Sequence, residues 1–100
     1  MLSQFGATPA KMRVCIDRNR VTGGGVTAGI DFALTLVSIL LDRTTAEAIQ
    51  LQLEYNPAPP FNSGSPDTAS AEVLALLRER GASRQARRLE AVARASARVM

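Results

Sequence analysis

Residues Val26 to Leu41 constrain this chain more than any other stretch. Ile30, Leu34, Val37 and Leu41 recur at helical spacing along one side, and Phe32, Leu36, Ile39 and Leu40 cover most of another. The spacing predicts a helix that is buried on more than one side. At 1.5 Å per residue it would run roughly 24 Å, the width of a sheet layer. Such a helix needs covering from at least two directions, and the 100 residues offer little sheet to do it. Met12, Val14 and Ile16 alternate with Arg13, Cys15 and Asp17, which predicts a strand with one apolar face. Asp17-Arg18-Asn19-Arg20 supplies turn chemistry through residues that tolerate left-handed backbone, and Val21-Thr22 begins a second short strand. Together these make a β-hairpin. An isolated hairpin is marginal, and a strand–loop–helix unit normally sits in a larger α/β sheet. The expectation is therefore an α/β fold, a β-hairpin followed by helices, that is incomplete on its own and part of a longer protein.

The other elements are simpler to read. Leu2 to Phe5, closed by Gly6, has the pattern of a last helical turn with glycine at its C-terminal cap. Thr44 or Thr45 is placed to cap a second helix with Glu47 in its first turn, and Ala48, Ile49, Leu51, Leu53 and Tyr55 form its apolar surface. Asn56-Pro57-Ala58-Pro59-Pro60 stops that helix, and residues 62–66 continue as loop. Thr68 or Ser70 would cap a third helix running through Arg80, Gly81 would break it, and Ser83 to Val99 would form a last, weakly buried helix. These readings divide the chain into an α/β part, residues 1–67, and a basic helical extension, residues 68–100.

The net charge of +3 belongs to that extension. Residues 1–67 carry five basic against six acidic side chains, whereas residues 68–100 carry seven Arg against three Glu. A basic helical end is more often a solvated face than a phosphate reader, so no nucleic-acid partner is expected. Aromatic residues make up 4% with no Trp, which argues against a stacking platform for bases. No stretch reaches the length of a membrane span, no signal peptide is legible at the start, and no membrane partner is expected. The absence of His removes the commonest general base and the commonest metal ligand. The single Cys excludes an internal disulfide and a multi-cysteine zinc site, and it suits a reducing, cytoplasmic setting. No metal and no cofactor are expected.

Few residues offer chemistry. Cys15 lies in an alternating strand without an elbow of glycines, and reads as a half-buried structural thiol. Asp31 lies one turn into an apolar helix, where the helix dipole favours a carboxylate. Gly23-Gly24-Gly25-Val26-Thr27 is a glycine-rich turn entering a helix. It lacks the Lys and Ser/Thr ending of a P-loop and the spacing of a dinucleotide fingerprint. The triple glycine suggests backbone of positive φ.

The run Val14 to Leu34, with Thr22-Gly23-Gly24-Gly25 and Ala28-Gly29-Ile30-Asp31-Phe32-Ala33-Leu34 as its specific parts, resembles the late hairpin and following helix of the ThiJ/PfpI family. Gln50 to Phe61 with Ser63-Gly64-Ser65-Pro66 is similar to the isonitrile hydratase branch of that family. The resemblance implies the C-terminal part of a flavodoxin-like three-layer sandwich, a homodimer, and a small-molecule substrate: isonitriles hydrated to N-substituted formamides by a lyase. The family's cysteine nucleophile and carboxylate would precede this sequence, so no catalytic residue is expected within it. The turn that matches the family's cavity border makes Gly24, Gly25, Val26 and Thr27 the expected pocket wall. An alternative implied by the same fold is the ligand-sensing, non-enzymatic domain of an AraC-type transcription regulator.

Overall fold

The computed structural model describes residues 1–99. It divides into two compact units, Ala10–Pro57 and Met1–Pro9 with Ala58 onward. The division falls in the Pro-rich loop.

The first unit is an antiparallel hairpin followed by two helices. Strand β1 (Val14–Asp17) pairs with β2 (Arg20–Gly23) in the register Val14↔Gly23, Cys15↔Thr22, Ile16↔Val21 and Asp17↔Arg20. The connection has two residues, and the left-handed one is Arg18 at φ 56° rather than the asparagine the turn chemistry pointed to. Helix α1 (Ala28–Leu40) packs against both strands and against helix α2 (Arg43–Gln52). The buried hydrophobic side chains among the described residues are small: Ala28 is 2% exposed and Ala46 7%.

Helix α2 is capped by Asp42, not by Thr44 or Thr45. Asp42 takes extended backbone, and its carboxylate accepts the Thr45 backbone N–H at 2.6 Å. The two threonines already lie inside the helix. That donor holds the Asp42 carboxyl below its ordinary range. The helix also ends earlier than expected. Glu54 N–H donates to the Leu51 carbonyl, Tyr55 N–H donates to the Gln50 carbonyl, and Glu54 itself is left-handed at φ 52°. This is a Schellman termination with glutamate where glycine is usual, and it swings Tyr55 out of the helical path.

In the second unit a 3₁₀ turn (Leu2–Phe5), closed by left-handed Gly6 at φ 79°, packs against helix α3 (Ala71–Val99). Ser70 caps α3, its hydroxyl accepting the Val73 N–H at 3.2 Å. Gly81 does not break it, so the two expected helices are one helix of 29 residues. Glycine costs a helix interior about 1 kcal/mol, whereas a proline costs about 3. The flanking Leu, Arg, Ala and Gln residues are good helix formers. With no turn in this segment, it provides no helix-turn-helix pair, and the regulator alternative gains no support.

Neither unit closes a core. Among the described residues no large side chain is fully buried, and Ile16 (55% exposed), Ile39, Leu40, Leu41 and Leu51 all face outward. The accessible surface is 8620 Å². A folded monomer of this mass exposes about 5,500 Å², and two separate folded halves would expose about 6,600 Å². The fold is an incomplete α/β unit, and no helix among the described residues is long and apolar enough to cross a membrane.

Two outcomes are expected. Light scattering of the purified chain will report association rather than a monodisperse monomer, because the exposed apolar surface drives it. Gly81→Ala will stabilise α3 by about 0.8–1 kcal/mol in thermal melts, since a Cβ there meets nothing within 4 Å.

Candidate functional site

The Gly23–Thr27 turn continues the hairpin ladder one step beyond its last pair. Gly24 N–H donates to the Arg13 carbonyl at 2.7 Å. A Cβ on Gly24 would lie 2.4 Å from the Met12 carbonyl oxygen and 3.4 Å from Arg13 Cα. Gly24 is therefore glycine because another backbone occupies the space of its side chain. Positive φ is not the reason: among the described glycines only Gly6 has it. Gly25 has open space around it. Val26 is 99% exposed. Thr27 stands at the N-terminus of α1 with helical backbone, and its hydroxyl makes no capping bond. The four expected pocket-wall residues thus form one contiguous, outward-facing turn. Two open hollows lie elsewhere, one of about 450 Å³ beside Glu47, Gln50 and Tyr55, the other of about 800 Å³ along α3 between Leu77 and Leu89.

Behind the turn lies a polar cluster that periodicity did not reveal. Arg13 Nε donates to Asp31 Oδ2 at 2.5 Å, and the Tyr55 hydroxyl donates to Asp31 Oδ1. The Thr35 hydroxyl donates to the Asp31 carbonyl at 2.8 Å. One carboxylate in the first turn of α1 therefore receives a donor from the residue before β1 and another from the residue that ends the α2 turn. The Tyr55 hydrogen bond, followed by Arg13, holds the Asp31 carboxyl below its usual range. The same hydrogen bond pushes the Tyr55 phenol up, because deprotonation would leave two anions in contact. Arg13 is likewise held more firmly protonated by Asp31. The sequence signal was present but thin: Asp31 is the single charged residue of an otherwise apolar helix, and Tyr55 the single tyrosine.

Cys15 is half-buried in β1 opposite Thr22. Among the described residues no three of Cys, Asp and Glu gather as a possible metal-ligand group. The arrangement ties an exposed turn and the start of α1 to residues 12 and 13.

No family model matches the chain. It is 54% identical over 99 residues, 99% of its length, to an isonitrile hydratase from Pseudomonas putida, of which it covers 43%. It is also similar to a crystal structure of a ThiJ/PfpI family protein from Pseudomonas syringae, with 54% identity and a TM-score of 0.77 over 82% of this chain and 34% of that one. The chain thus spans less than half the length of these relatives.

Gly24→Ala will destabilise the hairpin–helix unit by about 1–3 kcal/mol, the usual cost of forcing atoms into occupied space. Gly25→Ala will change stability by less than about 0.5 kcal/mol, as substitutions into open space do. Denaturant melts of the two variants, side by side, measure the difference.

Proposed function

We propose that this chain, which belongs to the ThiJ/PfpI family, forms the C-terminal, pocket-walling part of an isonitrile-hydratase-like protein. The observation that carries the reading is 54% identity to an isonitrile hydratase sustained over 99% of the chain, the Gly23–Thr27 turn included. In the whole protein an isonitrile, R–N≡C, gains water to become a formamide, R–NH–CHO. The water oxygen bonds to the terminal carbon, which also gains a proton, and the nitrogen gains the second proton.

Those steps need a nucleophile and a proton donor. This chain has no His, and its one Cys sits in a regular strand. The chemistry is assigned to groups supplied by the rest of the protein, and this chain supplies shape. Gly24, Gly25, Val26 and Thr27 present a narrow backbone ridge and one apolar and one hydroxyl side chain to a small molecule. The Thr27 hydroxyl leaves the first N–H groups of α1 without a side-chain cap, so they are available to polarise what lies beside them. The apolar faces of α1 and the hairpin seat the remainder of the α/β sandwich. Homodimer formation, a cytoplasmic setting for the lone thiol, and residues 68–100 as a helical extension of the 1–67 part complete the reading.

The test is a hybrid in which this chain replaces the homologous segment of the P. putida isonitrile hydratase, assayed for formamide formation from an aryl isonitrile. The hybrid will turn over, Cys15→Ala will leave kcat/KM within about threefold, and Thr27→Val will change kinetics while the melt stays in place. A Cys15→Ala loss of several hundred-fold, worth about 3–4 kcal/mol of transition-state stabilisation, overturns the assignment of chemistry outside this chain. An inactive, folded hybrid overturns the hydratase reading.

A further inference from the structure

We infer that Asp31 is a positioning residue that latches the Gly23–Thr27 turn and thereby sets the shape of the proposed pocket wall. The role of that wall rests on the hydratase reading; the latch itself rests on geometry.

Arg13 is held at two points. Its guanidinium donates to Asp31 Oδ2, and its carbonyl accepts the Gly24 N–H at 2.7 Å. The missing side chain at Gly24 is what allows the neighbouring Met12 carbonyl to lie where a Cβ would be. The turn therefore has one register against residues 12 and 13, and the side chain of residue 13 is fixed from α1. Asp31 is fixed in its turn by Tyr55, which occupies the remaining carboxylate oxygen. Tyr55 reaches it because Glu54 adopts the left-handed conformation that ends α2, a backbone state that L-residues rarely enter. Three segments thus converge on one carboxylate, and a single hydrogen-bonded residue separates that carboxylate from Gly24.

Asp31 as a plain partner of the helix dipole would need none of this, since any exposed carboxylate in the first turn of α1 serves that purpose. Two side-chain donors from different elements, one on each oxygen, are the signature of a brace. Because Arg13 and Asp31 are partly solvated, with side chains 56% and 30% exposed, the pair adds little to global stability. Its effect is local: it fixes where the turn sits.

Hydrogen–deuterium exchange on the full chain reads the latch directly. Asp31→Asn will raise exchange in peptides covering Gly23–Thr27 by about tenfold, a local opening, while peptides across Ile49–Gln52 stay unchanged. Arg13→Gln will do the same, and the double variant will add nothing further, because both break one connection. Unchanged exchange at the turn overturns the latch. Equal acceleration everywhere also overturns it, since Asp31 would then be a general stabiliser. In the hybrid enzyme, Asp31→Asn will raise KM about tenfold with kcat within about threefold, the pattern of a displaced binding wall. An unchanged KM in a folded, active variant removes the wall from substrate contact. An unsubstituted hybrid without activity removes the hydratase reading, and exchange at Gly23–Thr27 then decides the latch alone.

Discussion

Everything in the hairpin–helix unit follows from a helix that is apolar on nearly all sides. Burial of hydrocarbon is the main favourable term in folding, and α1 can satisfy only part of it within this chain. The hairpin and α2 both pack on it, and Ala28 and Ala46 are the buried apolar side chains among the described residues. Larger residues are covered only in part: Phe32, Leu34, Leu36 and Val37 are half-buried, while Leu40 is 70% exposed and Leu51 78%. The same physics that specifies the unit therefore also specifies that something further must pack on it. The relatives, more than twice as long, fit that requirement.

A unit so poorly buried cannot rely on packing alone to hold a particular loop in a particular place. The structure uses directional bonds instead. Asp42 caps α2, left-handed Glu54 ends it, and the turn that results brings Tyr55 to Asp31. The Asp31 carboxylate then reaches Arg13, and through its carbonyl the Gly24 amide. Hydrogen bonds to a charged acceptor are stronger than neutral ones, so a short chain of them can set loop position where hydrophobic contact is sparse. The Gly23–Thr27 turn is thus tied through Asp31 to Arg13, 11 positions before Gly24, and to Tyr55, about 30 positions after it.

Much of this was legible in the residues. Alternation in Met12–Asp17 and helical spacing in Val26–Leu41 determined the hairpin and α1, because both patterns are fixed by backbone geometry and need no partner to be recognised. Ser70 and Gly6 also acted as their local chemistry dictates, whereas α2 ended at left-handed Glu54 before the Pro-rich run could stop it. Gly81 did not break α3, because one glycine among good helix formers costs too little to divide a helix that otherwise propagates. Asp42 displaced the threonines as cap because it takes extended backbone and its carboxylate accepts the Thr45 N–H, and Asp is a better cap than Thr.

The sequence by itself determined the hairpin, α1, the shortage of sheet, and the likeness to the ThiJ/PfpI family, since these depend on periodicity, composition and motif order. Only the tertiary structure decided why Gly24 is glycine and what Asp31 is for. Both answers are contacts between residues far apart in the chain: a Met12 carbonyl in the place of a side chain, and an arginine and a tyrosine meeting on one carboxylate. Local pattern carries no information about such meetings, because it records which face a residue lies on and not what arrives opposite it.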